Sequence, residues 1–315
     1  MRVKNLRHHP HISNFFADKL FMTREALMGL LAEVDYSDDQ VYIEIEIPTY
    51  SRESAQLASV LCSDEISITT NFSDTDIPED SIALHRIVGP IFAEYDPYDW
   101  FFSTKQFIDD IRAADNNPRI IAHLVFVNSG GGDAWYLEKA YAAVSELQKP
   151  IVTFIEKINA SAAYYITSNT DRIFSTSIND TVGGIGTMVA FLDIIPYFEK
   201  LGAKWIEEYA DQSNLKNKRF NDLLDGKPKK YKEKELNPLA GQFIRAVRAA
   251  RQPLAGLPEK HDVFAGETYS AQEGREIGLI DEIADMETAI GYTLEQGRAW
   301  KAKTEKQTRM HIYID

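Results

Sequence analysis

Two kinds of apolar pattern alternate through the middle of the chain. Ile82–Val88 (IALHRIV) is a largely apolar run of strand length. Phe107, Ile108, Ile111 and Ala114 then recur at helical spacing, behind Ser103 and Gln106 placed as a capping box. Pro118 ends that helix, and Ile120–Val127 (IIAHLVFV) is near-continuously apolar, as a strand buried on both faces must be. Leu137, Ala140, Tyr141, Val144 and Leu147 mark a second helix, closed by Pro150, and Ile151–Ile155 (IVTFI) is another buried strand. Strands and helices in this order predict an α/β fold with a parallel sheet and crossover helices.

The first 70 residues read as a small α+β unit of their own. Thr23 is placed to cap a helix over 24–34, with Ala26, Leu27, Leu30, Leu31 and Val34 on one face. Val41–Ile47 alternates as a strand with one wet face, Glu53–Leu61 has the length of a short helix, and Glu65–Thr69 is a second strand. Asn71–Asp80 is polar and acidic, contains Pro78, and reads as a linker. The expected units are therefore 1–75, a main domain over 76–290, and a tail over 291–315. Toward the C-terminus, Gly202 ends a helix, Trp205–Tyr209 has strand character, and 214–234 carries eight Lys or Arg. Leu236–Leu254 is a long amphipathic helix, and the tail is helical before a polar end whose last residues, Met310–Asp315, read as a short strand or a disordered end.

Composition narrows the function. The 315 residues carry a net charge of −14, a surface that repels phosphate backbones and argues against nucleic acid as a partner. The single cysteine, Cys62, excludes an internal disulfide and a cysteine-based zinc site. No apolar run approaches the roughly 20 residues that span a bilayer. No apolar stretch follows the basic Met1–Pro10, so a secretory leader is not expected, and the default is a soluble intracellular protein.

Two segments carry candidate chemistry. Asn128-Ser129-Gly130-Gly131-Gly132-Asp133 follows a buried strand and precedes a helix. It matches neither dinucleotide nor P-loop spacing, so it is either a bare glycine turn or a cradle whose N–H groups face an anion or a carbonyl oxygen. Asn159–Tyr165 follows the next strand and opens a helix of small residues. Ser161 at its start is either an N-cap or a nucleophile aided by the helix N-terminus. A serine nucleophile needs a base. Of the seven histidines, His8, His9 and His11 are near the N-terminus, His85 and His123 fall in apolar strands, His261 opens a turn and His311 is in the tail. Ser161 lacks the G-x-S-x-G elbow signature, and the other option is a desolvated, neutral lysine.

Four stretches resemble the Ser-Lys signal peptide peptidase A family, of Clp protease/crotonase-like fold, which includes phage and prophage head-maturation (capsid) proteases. Val127–Gly132 (VNSGGG) resembles the family's N-S-P-G-G turn, with Gly130 for proline. Ala160–Ile173 resembles A-S-G-G-Y-Y-I-x-x-x-x-D-x-I, with Ala162 and Ala163 for glycines. Thr181–Gly186 resembles T-G-S-I-G with one residue extra, and Val263–Glu282 resembles V-Y-x-G-x-x-A-x-x-x-G-L-x-D. The resemblance runs from about Ile82 to Asp285, roughly two thirds of the chain.

It implies Ser161 as nucleophile and a lysine base about one sheet unit later. Lys216, 55 residues on, fits best, and Lys218 is the rival. It implies an oxyanion hole from the N–H groups of Gly131 or Gly132 and of Ala162, with Thr181 or Ser175 as a hydroxyl orienting the lysine. The implied activity is peptide-bond hydrolysis through an acyl-enzyme, without metal or cofactor. The implied partners are peptide or protein substrates, among them capsid and scaffold proteins, and further copies of the chain in a ring. The implied location is the cytoplasm or the phage prohead. The alternatives are a cytosolic peptidase that degrades signal peptides, a crotonase-like acyl-CoA enzyme, and an inactive assembly protein of the same fold.

Overall fold

The computed structural model describes residues 72–95, 101–191 and 193–312, with the short strands Leu20–Met22, Val34–Asp35, Tyr42–Ile43, Ala58–Cys62 and Glu65–Thr69 before them. A nine-stranded sheet organises the chain. Its strands are β1 (Ala58–Cys62), β2 (Glu65–Thr69), β3 (Ser81–Val88), β4 (Ile120–Ser129), β5 (Ile151–Ala160), β6 (Arg172–Ser175), β7 (Thr181–Gly183), β8 (Thr268–Ser270) and β9 (Glu282–Ile283). The order is β8-β7-β5-β4-β3-β1-β2, and β6 pairs with both β5 and β9. The centre, β3-β4-β5 with β6 and β7, is parallel, while β1, β2 and β8 add antiparallel.

Parallel pairing forces crossovers, and the helices between the strands supply them. The helices are α1 (Thr104–Asn116), α2 (Leu137–Ser145), α3 (Ala162–Thr167), α4 (Ile195–Lys200), α5 (Lys218–Leu224), α6 (Asn237–Ala250) and α7 (Ala271–Ile277), and α8 (Met286–Ile312) follows the last strand. The sheet is buried on both faces, as the continuous apolar strands require. On one face Ile87, Val125, Val127 and Ile155 pack with Ile111, Ala140, Tyr164 and Phe243 of the crossover helices. On the other, Ile82, Leu124, Val152 and Phe154 pack against Ala289 of α8.

The predicted α/β class and the central strands and helices are all present. Ser103 caps α1 by accepting from the Gln106 N–H at 3.2 Å, but the Gln106 side chain bonds Asp110 instead of closing the box. Several expectations need correction. Residues 58–61 belong to a strand, not a helix, because they pair in register with both β2 and β3. The hairpin β1-β2 therefore extends the main sheet instead of forming a separate unit. The expected linker is packed down: Phe72 and Ile77 are buried, and Asn117 Nδ2 donates to the Phe72 carbonyl at 2.8 Å. Residues 205–209 form no strand, and no strand among the described residues pairs with them, while Met310–Ile312 continue α8. That helix also runs across the expected boundary at 290/291. The helix expected over 24–34 falls outside the described residues except for Val34.

Candidate active site

β5 is bent by two extra residues before it reaches the site. Ile155 pairs with Val127 but Asn159 pairs with Ser129, so four steps on β5 match two on β4. Lys157 takes φ 75° at this bulge, and its N–H donates to Asp180 Oδ1 at 3.2 Å. Asp180 Oδ2 accepts from the Ser177 N–H and from Ser175 Oγ, which ties the bulge to the 176–180 turn. Beyond the bulge β5 changes partner from β6 to β7. Bulges of this kind re-aim a strand next to a site.

Ser161 is the residue so aimed. It stands between the end of β5 and the start of α3, with φ 57° and ψ −122°. An L residue avoids this conformation, at a cost of about 1–3 kcal/mol. The surroundings hold it there: its N–H donates to the Gly183 carbonyl at 2.8 Å, and its carbonyl accepts from the Tyr165 N–H at 2.8 Å. Its side chain makes no capping hydrogen bond, although it occupies the N-cap position. Ser161 is 3% exposed. The turn has the sharp strand-to-helix geometry of a nucleophile elbow, without the glycine signature.

The glycine segment lies at the same end of the sheet, since Asn159 and Ser129 are register partners. Gly131 has φ 103°, and its N–H donates to Ser129 Oγ at 3.2 Å. Residues Gly131–Asp133 form a short strand in a second sheet, parallel to Ile91–Phe92 and antiparallel to Leu20–Met22. Only glycine fits at 132: a Cβ there would stand 2.1 Å from the Ile91 carbonyl oxygen. The Asp133 carboxylate accepts from the Ala93 N–H at 3.0 Å and fixes the strand's far end. Ala162, the first residue of α3, is fully buried.

The lysines are placed differently. Lys216 is exposed, and its amine makes no hydrogen bond or ion pair among the described residues. Lys218 is exposed too and pairs with Asp222 at 3.0 Å. Both follow a stretch that exposes Ile194, Tyr197, Phe198, Leu201, Trp205 and Ile206. The lysine that burial does perturb is Lys149, whose pKa falls to about 8. It donates to the Ala114 and Asn117 carbonyls just before β5 begins, about 30 Å of strand from Ser161, which rules it out as the base. His85 and His123 are core residues: His85 Nε2 and His123 Nδ1 share a hydrogen bond at 3.1 Å, and burial lowers both pKa values. His261 accepts from the Val263 N–H at 3.2 Å and closes a turn. The Ser175 hydroxyl is engaged with Asp180.

The remaining motif residues brace Ser161 from behind. The buried Tyr164 hydroxyl donates to the Leu279 carbonyl at 2.8 Å. Asp281 accepts from the Ile173 N–H at 2.7 Å and from both terminal nitrogens of Arg251. Asn159, two residues before Ser161, donates through Nδ2 to Thr167 Oγ1 at 2.8 Å. Neither Asp180 nor Arg251 stood out in the sequence. The S-x-x-D spacing of Ser177 and Asp180 is a local turn signal for the first, and nothing local marks the second.

A strained, buried serine thus stands at a strand-to-helix turn, beside a glycine strand on an α/β sheet. Residues 143–299 match the model of peptidase family S49, and the chain belongs to that family over this span. It is 25% identical over 227 residues to a protein of Methanocaldococcus jannaschii provisionally named a protease, covering 67% of this chain and 69% of that one. It is 24% identical over 221 residues to the chloroplastic serine protease SPPA of Arabidopsis thaliana, covering 67% of this chain and 32% of the plant protein. Among solved structures, ClpP1 from Listeria monocytogenes aligns with a TM-score of 0.39 at 11% identity, over 65% of this chain and 93% of that one. Among the described residues no helix is long and apolar enough to cross a membrane.

Proposed function

We propose that the chain is a serine endopeptidase in which Ser161 is the nucleophile and Lys216 the general base. The observation that carries the first role is the backbone of Ser161, held at φ 57° with a hydroxyl that caps nothing. The hydroxyl attacks a peptide carbonyl, its proton passes to neutral lysine, and the acyl-enzyme is released by water that the lysine activates. The N–H groups of Gly132 and Ala162 receive the oxyanion, since that of Gly131 is already given to Ser129.

A general-base lysine works as the neutral amine, which a dry site favours, and Lys216 is exposed. The apolar residues that precede it supply the means. Copies of this chain assembled in a ring cover Ile194–Ile206 and dry the lysine with them. The substrates are extended protein segments, and the motif resemblance favours scaffold and head proteins of a phage or prophage.

The test compares wild type with Ser161→Ala and Lys216→Ala on an unfolded casein, with a fluorophosphonate probe read by intact mass. Wild type hydrolyses casein and labels at Ser161, while both variants lose hydrolysis. Wild type that neither cuts nor labels, in any oligomeric state, overturns the proposal. If Lys216→Ala retains activity and Lys218→Ala does not, the base is Lys218.

A further inference from the structure

Asn159 is fully buried, yet its side chain is only half satisfied. Nδ2 donates to Thr167 Oγ1 at 2.8 Å, and that hydroxyl donates in turn to the Ala163 carbonyl at 2.9 Å. A hydroxyl that gives its own proton to Ala163 can take only a donor from Asn159, so the amide nitrogen faces it. Oδ1 is the end left over, and it has no hydrogen-bond partner among the described residues. A buried oxygen without a partner lowers stability, and an apolar side chain of similar shape would escape that cost. Such a group asks for a reason, and buried exceptions of this kind collect at functional sites.

The position supplies the reason. The backbone of Asn159 lies between two strands, paired with Ser129 of β4 on one side and with Val182 of β7 on the other. Ser129 leads into the glycine segment: its Oγ accepts from the Gly131 N–H and donates to the Gly89 carbonyl at 2.6 Å. Val182 precedes Gly183, whose carbonyl accepts from the Ser161 N–H. The side chain reaches a third element, α3, at its last residue, Thr167. One residue thus joins the glycine segment, the strand that holds the Ser161 N–H, and the helix that opens with Ala162. We infer that Asn159 is a positioning residue: through Thr167 it holds α3, and with it Ser161 and the Ala162 N–H, in fixed register with the glycine segment. This rests on the peptidase reading above. Asn159 is buried and acts through the groups it holds, not on the substrate. Losing the brace therefore weakens what is aimed at the transition state and leaves substrate binding alone.

Asn159→Leu, made in the full chain, removes the donor and the unpaired oxygen together. Its urea midpoint should be no lower than that of wild type. Per folded molecule, its kcat on casein should fall roughly 10- to 100-fold with KM unchanged, and fluorophosphonate labelling of Ser161 should slow by about the same factor. The pH at which kcat is half-maximal should stay where it is, because the base is untouched. Thr167→Val breaks the same chain of bonds from its other end and should lose kcat likewise, while Thr167→Ser, which keeps the hydroxyl, recovers most of the loss. The double variant Asn159→Leu, Thr167→Val should be no slower than the worse single, since both act through one contact. An Asn159→Leu enzyme with wild-type kcat per folded molecule overturns the inference. If that variant does not fold, equal kcat in Thr167→Val and Thr167→Ser overturns it instead. If wild type leaves casein untouched and Ser161 unlabelled, the peptidase reading itself falls.

Discussion

Replacing Ser161 by glycine should make the protein more stable while abolishing hydrolysis. At φ 57° and ψ −122° a side chain costs about 1–3 kcal/mol, and glycine escapes that cost. Against this stands the extra freedom of glycine in the unfolded chain, about 0.5–1 kcal/mol. The net gain is about 0.5–2 kcal/mol, which at roughly 2–4 °C per kcal/mol raises Tm by roughly 1–8 °C. Ser161→Ala keeps the Cβ and breaks no capping bond, so its stability stays within about 0.5 kcal/mol of wild type. An ordinary N-cap behaves otherwise. There alanine costs about 1 kcal/mol and glycine a few tenths, and both variants fall below wild type. Urea unfolding of the three proteins at one pH, fitted with a common m-value, separates the cases. If neither variant matches wild type and alanine is the worse, the strained-nucleophile argument fails.

Three further outcomes follow from the structure. Burial lowers the pKa of His85 and His123, so the unfolded chain takes up protons below pH 6.5 that the folded chain refuses. Their contribution is intact above pH 6.5 and is lost as pH falls below it, by about 1.4 kcal/mol per pH unit for each imidazole; a flat urea midpoint from pH 7.5 to 5.5 would contradict this. Tyr164→Phe leaves the Leu279 carbonyl unpaired in the core, and chemical unfolding should show a loss of about 1–3 kcal/mol. Gly132→Ala drives a Cβ into the Ile91 carbonyl, so casein hydrolysis should collapse, whereas Gly256→Ala, with open space around it, should be silent in the same assay.

The centre of the fold was legible because its signals are local. IIAHLVFV and IVTFI can only be strands buried on both faces, and Pro118 and Pro150 punctuate them. Ala58–Cys62 was misread because ASVLC has no strict period, and its strand is decided by neighbours on both sides. Phe72 and Ile77 looked like linker residues because their partners, Ala114 and Ile120, are distant in sequence. At the site, Ser161 and the glycine segment were found by their place after two buried strands and by motif resemblance. The bulge at Lys157 was not, since no composition marks a positive φ at lysine. Arg251 was missed for a similar reason: its bond to Asp281 crosses 30 residues and leaves no periodic trace.

The two extra residues on β5 between Ile155 and Asn159 carry a consequence for inheritance. Two is even, so the alternation of faces resumes in phase after the bulge, and Ser161 emerges on its proper side. Loss of a single codon anywhere in 156–158 would leave every residue of the site in the gene and turn the serine to the opposite face. Loss of two, Lys157 among them, would restore the parity while removing the Lys157 anchor to Asp180. In this stretch the reading of length is stricter than the reading of letters: lineages should vary the side chains at 156–158 freely and change their number only by pairs.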